Sequence, residues 1–295
     1  MKDISILIPT YNHVCVELVS TLQQQASQLP ISYEIIVADD GSTLAPTIEG
    51  NKAINEYTNS RYIELPENIG RAAIRNFLVK KASQPWLLFI DSDMVVRHPD
   101  FLRRYVETPN EEAVWDGGIN VGGDAKLLSH NLRYQYERAN EHLHTAERRQ
   151  QEPYRDFHTA NFMASRQLMT KYPFDLRFRH YGYEDVLFGM QLEKRHIPIN
   201  HIDNPLSFEV FEENEQFLSK TEEGLRTLYT FRHELKAGSR LLQRVEHLGW
   251  LMPLLRLYHQ TTNKLERRFL LRHPSLFLFS LYRLGYYATL KYDKK

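Results

Sequence analysis

The first hundred residues alternate between short apolar segments and segments with helical spacing, and this alternation constrains the fold more than any other feature. Four segments have the β-branched, apolar character of buried strands: "ISILIP", "YEIIVADDGS", "RYIELPEN" and "PWLLFIDSD". Amphipathic stretches such as "GRAAIRNFLVKKAS" separate them. Strands that alternate with helices at this spacing predict a parallel sheet with right-handed crossovers. We therefore expect an α/β fold with a Rossmann-like, mostly parallel sheet flanked by helices.

Acidic residues follow two of these predicted strands. Asp39 and Asp40 come at the end of the second, and Asp91 and Asp93 follow the fourth. Ligands of such sheets bind at the carboxyl ends of the strands, so one ligand could face all four carboxylates. Asp91 and Asp93, separated by Ser92, point to one side and repel each other. They could hold Mg²⁺ or Mn²⁺ through their oxygens, and the alternative is a turn capped by its own backbone.

Composition narrows the class of protein. The 295 residues suffice for one large domain or for one domain with an appendage, and the 37 basic side chains equal the 37 acidic ones. This balance argues against a nucleic-acid partner. The single cysteine, Cys15, excludes an intrachain disulfide and favours a reducing, cytoplasmic location. We also expect neither a signal peptide at the N-terminus nor a membrane-spanning helix.

The C-terminal segment differs from the rest in charge. Residues 239–295 contain eleven Lys or Arg against three acids, together with many Leu, Phe and Tyr. We predict a catalytic domain over residues 1–235 and a basic, aromatic-rich helical extension over residues 236–295. Amphipathic helices of this composition bind anionic membrane surfaces. The alternative is that their apolar face packs on the catalytic domain while the basic groups stay in water.

Five motifs, in this order, give the chain a resemblance to a known family: "SILIPTYN", "EIIVADDGS", "NIGRAAIRN", "LLFIDSDM" and "YGYEDVLFG". Together they resemble the family 2 glycosyltransferases over roughly residues 3–230. The resemblance implies the GT-A fold, a divalent metal (Mn²⁺ or Mg²⁺) and an inverting transfer from a nucleotide sugar, most often UDP-linked. The expected acceptor is a hydroxyl of a saccharide or a lipid-linked saccharide. The expected setting is bacterial surface-polysaccharide synthesis in the cytoplasm, with peripheral attachment to the inner membrane face.

The resemblance also assigns residues to the donor. Asp39 would accept a hydrogen bond from the base, with Asp40 as a substitute or as a cap of the next turn. Arg71 and Arg75 would help to neutralise the nucleotide, or would form a solvated helix face. The full set implied for nucleotide-sugar binding is Pro9, Thr10, Tyr11, Asp39, Asp40, Gly70, Arg71, Arg75, Asp91, Ser92 and Asn161.

Catalysis is expected at the fifth motif. The attacking hydroxyl must lose its proton, and a positioned carboxylate can accept it. The resemblance makes Asp185 that base and lets Glu184 bind an acceptor hydroxyl, although either acid could simply favour the start of a helix. Gly182 and Tyr183 would shape the sugar pocket, and His158 is a weaker candidate for the same region.

The metal site departs from the family pattern. Asp93 and Asp91 are the expected ligands, but a histidine that many relatives carry would fall near Phe208, which cannot coordinate a metal. Three alternatives remain. His201 substitutes as a ligand, or Asp93 holds the metal with phosphates and water, or the site is degraded.

Two other functions are compatible with part of the pattern. A binding or scaffold protein could keep the fold after losing turnover, as Phe208 suggests. A sugar-nucleotide nucleotidylyltransferase also combines an α/β sheet with acids, but it carries a glycine- and arginine-rich loop after the first strand. Here that place is occupied by "PTYNHVCVE", which contains neither residue.

Overall fold

A computed structural model describes residues 1–292 and shows one central sheet of seven strands. The seven strands are β1 (Ile4–Thr10), β2 (Tyr33–Asp39), β3 (Ser60–Glu64), β4 (Trp86–Ile90), β6 (Val114–Asp116), β8 (Asn161–Ser165) and β9 (Ile199–His201). Their order is β3-β2-β1-β4-β8-β6-β9. Only β8 runs antiparallel to its two neighbours. The predicted α/β fold with a mostly parallel sheet is therefore confirmed.

A second sheet of three short strands lies beside the end of β4. Its strands are β5 (Met94–Val95), β7 (Ile119–Val121) and β10 (Leu206–Phe208). The sequence did not predict this sheet, because its strands are two or three residues long and carry no periodic signal. Pairing within it places Phe208 opposite Met94. The position near which the family pattern has a histidine, Phe208, therefore lies opposite the residue that follows Asp93.

Helices cover both faces of the central sheet. The helices before residue 200 are α1 (Val16–Ser27), α2 (Ala45–Lys52), α3 (Arg71–Lys81), α4 (Phe101–Val106), α5 (Leu132–Asn140), α6 (Ala146–Gln151), α7 (Arg166–Lys171) and α8 (Glu184–Lys194). Of these, α5 packs on β7 and on the C-terminal helices and not on the central sheet. The inner strands are apolar on both sides, and every residue of β4 is buried. Burial on both faces is what crossover helices impose on a parallel sheet.

The C-terminal region is helical, as expected. It contains α9 (Asn214–Thr230), α10 (Arg240–His247), α11 (Met252–Arg272) and α12 (Leu276–Tyr292). Tyr287 and Ala288 of α12 belong to the same buried cluster as Leu7 of β1 and Leu225 of α9. The apolar face of the extension therefore does pack on the catalytic domain, which was one of the two alternatives. Among residues 1–292 no helix is long and apolar enough to cross a membrane.

The single thiol, that of Cys15, lies in the segment between β1 and α1. Cys15 is buried just before α1, and its backbone N–H donates to Asn51 Oδ1 at 2.9 Å. Burial, reinforced by the charge of Asp39, raises the pKa of the Cys15 thiol to about 12. The thiol is therefore protonated and unreactive at neutral pH.

Candidate functional site

Two arginines on one face of α3 connect the end of β4 to the start of α8. Arg75 Nη2 lies 2.5 Å from Asp91 Oδ1, and Arg71 Nη2 lies 3.3 Å from Asp91 Oδ2. The same arginines reach Glu184 Oε1, at 2.6 Å from Arg71 Nε and 3.7 Å from Arg75 Nη1. Both carboxylates are therefore neutralised within the protein. We call Arg71, Arg75, Asp91 and Glu184 the arginine-paired cluster.

This cluster corrects two predicted roles. The side chain of Glu184 is 4% exposed and its charge is already paired, so it does not fit the role of binding an acceptor hydroxyl. The side chain of Arg75 is 1% exposed, so it cannot contact a nucleotide. Arg71 is different, because 39% of its side chain is exposed. The Arg71 guanidinium lies 5.6 Å from the centre of the Tyr181 ring, and part of it remains accessible to a ligand.

Asp93 lies two residues from Asp91 but has no such partner. Within residues 1–292 no Lys or Arg lies at ion-pair distance from its carboxylate. Burial and the charge of Asp91 raise the pKa of Asp93, and His13 and Arg71 only partly oppose them. A carboxylate with a raised pKa lacks a compensating positive charge. This is the electrostatic condition that a bound cation would relieve.

The donor set at Asp93 is small. In the described part of the chain no group of three or more His, Cys, Asp or Glu is placed to hold a metal ion. Both oxygens of Asp91 are held by arginines. The Arg133 guanidinium covers the ring of Phe208, 5.1 Å from the ring centre. Asp93 thus fits a metal as a single protein ligand, which leaves the remaining positions to substrate oxygens and water.

His201 does not fit as a substitute ligand, and this corrects one alternative. Its Nδ1 lies 2.5 Å from Arg149 Nη1, and its Nε2 lies 2.9 Å from the carbonyl oxygen of Pro153. Burial lowers the pKa of His201 despite the nearby charge of Asp116. A histidine ligand must offer a free ring nitrogen. In this structure neither nitrogen is free.

The loops that follow β1 and β2 are tied together. Asn12 Oδ1 accepts the Thr43 N–H at 2.8 Å, and the Asn12 N–H donates to the Ser42 hydroxyl at 2.7 Å. The loop leaves the Tyr11 ring exposed, while the Thr10 hydroxyl donates to its own turn at His13. Tyr11 is therefore free to stack on a base. Thr10 holds the loop and offers no free hydroxyl.

The two acids after β2 do different things. Asp39 is buried, and its Oδ1 accepts the Ser42 N–H at 2.7 Å while the Tyr62 hydroxyl donates to its Oδ2. Asp40 accepts the N–H groups of Ile69 at 2.7 Å and Gly70 at 3.1 Å. Asp40 therefore fixes the start of α3, and the structure corrects its assignment to the donor. The alternative was that Asp40 caps the turn that follows it. The N–H groups that Asp40 accepts instead belong to Ile69 and Gly70, in a distant segment.

Gly70 occupies a position that a larger residue could not take. Its φ is +90°, and a Cβ there would lie 2.9 Å from the carbonyl oxygen of Arg179. Only glycine adopts this conformation without strain. The absence of a side chain lets the segment before α8 approach the start of α3, which brings Glu184 to Arg71.

Asp185 lies in the first turn of α8, after an unusual backbone. Tyr183 has a φ of +71°, a conformation that is strained for a residue with a Cβ. His158 Nδ1 lies 4.0 Å from Asp185 Oδ2. Burial raises the pKa of Asp185, but the His158 interaction, the Val186 N–H and Arg71 outweigh it and hold this pKa below the usual value. Asp185 is therefore ionised at neutral pH.

A buried polar network behind His158 was not predicted. Asp116 Oδ1 lies 3.0 Å from Arg149 Nη1, and Asp116 Oδ2 accepts the His158 N–H at 3.2 Å. Burial lowers the pKa of His158, but the carboxylates of Asp185 and Asp116 outweigh it and raise this pKa above its usual value. No motif marked Asp116 or Arg149, because their pairing joins distant parts of the chain.

Asn161 belongs to the scaffold. Its amide donates to the carbonyl oxygens of Gly118 at 2.7 Å and Asn204 at 2.9 Å, and its Oδ1 accepts the Tyr105 hydroxyl at 2.7 Å. All its strong hydrogen-bonding positions are used, and the residue is 1% exposed. The structure therefore corrects its assignment to the sugar pocket.

Comparison with known proteins identifies sequence relatives of this chain. A family model described as "Glycosyl transferase family 2" matches residues 5–172. The dolichyl-phosphate beta-glucosyltransferase of Drosophila melanogaster is 29% identical over 136 residues, which cover 42% of this chain and 41% of that protein. The teichoic acid poly(glycerol phosphate) polymerase of Staphylococcus epidermidis is 30% identical over 96 residues, 32% of this chain and 13% of that protein. The matches thus span less than half the length of these relatives.

Two solved structures share the fold along nearly the whole chain. The mannosyltransferase PcManGT of Pyrobaculum calidifontis, in complex with GDP-Man and Mn²⁺, has a TM-score of 0.60 at 14% identity and covers 100% of this chain and 90% of that one. S. aureus TarS 1-349 in complex with UDP has a TM-score of 0.51 at 17% identity, over 99% of this chain and 92% of that one. The family model covers more than half of the sequence. The chain belongs to glycosyl transferase family 2.

Proposed function

We propose that this protein transfers a sugar, with inversion, from a UDP-linked donor to a hydroxyl of a saccharide or lipid-linked saccharide. The observation that carries the proposal is the placement of two acids on either side of the arginine-paired cluster. Asp93 follows Asp91 by two residues, and Asp185 follows Glu184 directly. Because arginines join Asp91 to Glu184, the cluster fixes the donor-side acid relative to the acceptor-side acid.

The donor side would work as follows. Tyr11 stacks on the base, and the exposed edge of Arg71 approaches the diphosphate. Asp39, which is buried and bonded to Ser42 and Tyr62, holds the loop beside the base. Asp93 would hold a divalent metal, which when bound supplies positive charge for the departing nucleotide. Since Asp93 offers one carboxylate, we expect weak binding of Mn²⁺ alone and much tighter binding once a nucleotide adds its oxygens.

The acceptor side would use Asp185 as the general base. Asp185 is ionised at neutral pH and half-buried, so it can take the proton of a hydroxyl that attacks the anomeric carbon. The strained backbone at Tyr183 aims the first turn of α8. His158 orients the Asp185 carboxylate and is itself anchored by Asp116.

The extension would place the enzyme on an anionic membrane surface. Some exposed residues on α11 recur every three or four positions and so share one face: Leu254, Leu257, Thr261, Leu265, Arg268 and Arg272, with Phe269 four residues after Leu265. Trp250 before this helix and Phe277 after it are also exposed. Apolar side chains flanked by exposed cations suit an anionic surface. Location at the inner membrane face and a role in surface-polysaccharide synthesis belong to the same proposal.

The decisive experiment on the reaction is a thermal-shift panel of UDP-, GDP- and dTDP-sugars with and without Mn²⁺, followed by assays of nucleotide release. A UDP-sugar with Mn²⁺ should raise the melting temperature, since a ligand stabilises the state that it binds. Asp185→Asn should keep this shift and lose turnover by about 10²–10⁴-fold, as expected for removal of a general base. Asp124→Asn, at an exposed acid in a turn, is the matched control.

Three outcomes decide the reaction proposal. If no nucleotide binds to a folded sample, donor use is refuted. If turnover survives Asp185→Asn, the base is a different residue. If UDP binds but no donor is ever turned over, the scaffold function replaces the enzymatic one.

The membrane part is tested by vesicle flotation. The wild type should float with anionic phosphatidylglycerol vesicles and remain behind with neutral phosphatidylcholine vesicles. Leu254→Ser with Leu257→Ser should abolish flotation, whereas Leu127→Ser, at an exposed leucine elsewhere, should not. Equal flotation of both variants would contradict the assignment of this face.

A further inference from the structure

A cleft of about 420 Å³ lies between α9 and the segment that precedes α8. The cleft residues are Arg177, Phe178, Arg179, His180, Glu223, Arg226, Thr227, Thr230 and Phe231. The volume is in the range of small-molecule sites. None of the motifs of the family resemblance covers these residues.

The apolar part of the cleft is a stacked pair of aromatic rings. The rings of Phe178 and Phe231 stack with centres 4.2 Å apart and planes 19° apart. Arg177 lies 5.5 Å from the Phe231 ring and is already paired with Asp175 and Glu234, at 2.7 Å and 2.6 Å. Arg177 is therefore part of the wall and not a free cation.

The rim of the cleft carries excess positive charge. In the described residues Arg179 is exposed and lies at ion-pair distance from no acid. Arg226 donates to the Tyr286 hydroxyl, which does not neutralise it. The acid of the cleft, Glu223, accepts the Tyr181 N–H at 3.1 Å and lies 3.4 Å from His180 Nδ1. Apart from the paired Arg177, the cleft is thus lined by two guanidinium groups, those of Arg179 and Arg226, and by one carboxylate, that of Glu223.

The cleft adjoins the acceptor side of the candidate site. The carbonyl oxygen of Arg179 touches the start of α3 at Gly70, and the next aromatic residue, Tyr181, lies against Arg71. Asp185 is six residues further along the chain. An extended chain spans at most about 3.6 Å per residue, so Arg179 and Asp185 are at most about 22 Å apart. An acceptor of a few sugar rings can reach both.

We propose that this cleft binds an anionic group of the acceptor, a phosphate or a carboxylate, while the reacting hydroxyl reaches Asp185. Guanidinium groups bind both anions through paired, charge-assisted hydrogen bonds. The apolar floor suits the carbon face of the group that bears the anion. The inference rests on the proposed function and adds to it that the acceptor is negatively charged.

The test measures anion binding after the donor site is filled. Wild-type protein saturated with UDP and Mn²⁺ is titrated with inorganic phosphate, glucose 6-phosphate, glucuronate and neutral glucose, and binding is followed by calorimetry. We expect binding of the anions and none of glucose. Arg179→Gln with Arg226→Gln should weaken anion binding by about tenfold or more, because it removes charge-assisted hydrogen bonds. Arg103→Gln, on the exposed face of α4, is the matched control and should change nothing.

The outcomes separate this inference from the proposed function. If UDP binds neither to the wild type nor to any of the variants, the proposed function fails. If UDP binds equally to all variants but the double variant keeps wild-type affinity for phosphate and glucuronate, this inference alone is overturned. Anion binding that disappears when UDP fills the donor site also overturns it. A preference for glucose 6-phosphate or for glucuronate identifies the source of the charge as phosphate or carboxylate.

Discussion

Asp91 and Asp93 lie two residues apart at one strand end, yet the structure treats them in opposite ways. Asp91 is held by two arginines, at 2.5 Å and 3.3 Å. Asp93 has no cationic partner at ion-pair distance in residues 1–292, and its pKa is raised by burial and by Asp91. A similar contrast recurs at the start of α8, where Glu184 is paired with arginines. Among residues 1–292 Asp185 forms no ion pair with Lys or Arg, and His158 lies 4.0 Å from its carboxylate.

The contrast separates acids that hold the site together from acids that can act on a ligand. A buried ion pair that is broken leaves an uncompensated charge, which is strongly destabilising. The arginine-paired cluster therefore fixes geometry. Ionised Asp93, whose pKa is raised, opposes folding of the empty protein, and a bound cation would compensate it. Ionised Asp185, whose pKa is lowered, is ready to accept a proton. Four predictions test this separation.

The largest effect is expected from Arg75→Met. The change removes the buried partner of Asp91 and leaves that carboxylate with only Arg71, so the free energy of unfolding should fall by about 3–5 kcal/mol. Urea denaturation measures it. Arg61→Met, which removes a half-exposed partner of Glu34, should cost at most about 1 kcal/mol. Equal losses in both variants would show that the cluster has no special structural role.

Asp93→Asn should have opposite effects on stability and on donor binding. The folded-state pKa of Asp93 is raised, so its ionised form opposes folding at neutral pH, and removing the charge should raise the melting temperature of the empty protein. The Mn²⁺-dependent affinity for UDP should fall by about 100-fold, because the metal loses its protein ligand. A lower melting temperature without ligand would contradict the separation.

His158→Gln should shift the acid limb of the pH profile of kcat/KM to higher pH. His158 helps to hold the pKa of Asp185 below its usual value, so without it burial dominates and this pKa rises. Ionised Asp185 is then lost at a higher pH as the solution is acidified. Activity near pH 5 should fall several-fold relative to activity near pH 8. The exposed His142→Gln variant should keep the wild-type profile.

The smallest effect is expected from Phe208→His, which places an imidazole opposite Met94, the residue that follows Asp93. Mn²⁺ without nucleotide should then raise the melting temperature by a few degrees, which it should not do in the wild type. Phe211→His removes a neighbouring ring of the same aromatic pair and is the control for lost packing. The same response in the control would mean that the metal binds elsewhere.

The sequence predicts that Asp91 follows a strand, but it does not predict which side chains pair with the acids. Strand ends, and hence the position of Asp91 on the rim, follow from local periodicity. The contact between Arg71 and Glu184 joins residues 113 apart in sequence and depends on how the segment at Gly70 packs against Arg179. No local pattern encodes that contact. Arg75 was therefore assigned to the nucleotide instead of to the scaffold.

The same limit applies to two candidate residues in the middle of the chain. Asn161 and His201 are polar residues at strand ends, where ligands bind, so their pattern alone is compatible with a site. Their hydrogen bonds to Gly118, Asn204, Arg149 and Pro153 come from loops whose path the sequence did not reveal. The sequence also gives too little weight to His158, because its partner Asp185 lies 27 residues further along the chain.

The enclosed thiol of Cys15 makes the protein convenient for spectroscopy. A maleimide or a spin label attached at neutral pH will not modify a buried sulfur whose pKa is about 12. A cysteine introduced on the surface can therefore be labelled selectively in the otherwise unmodified chain. One probe on α11 and another beside the cleft at Arg179 would report separately on vesicle contact and on acceptor arrival.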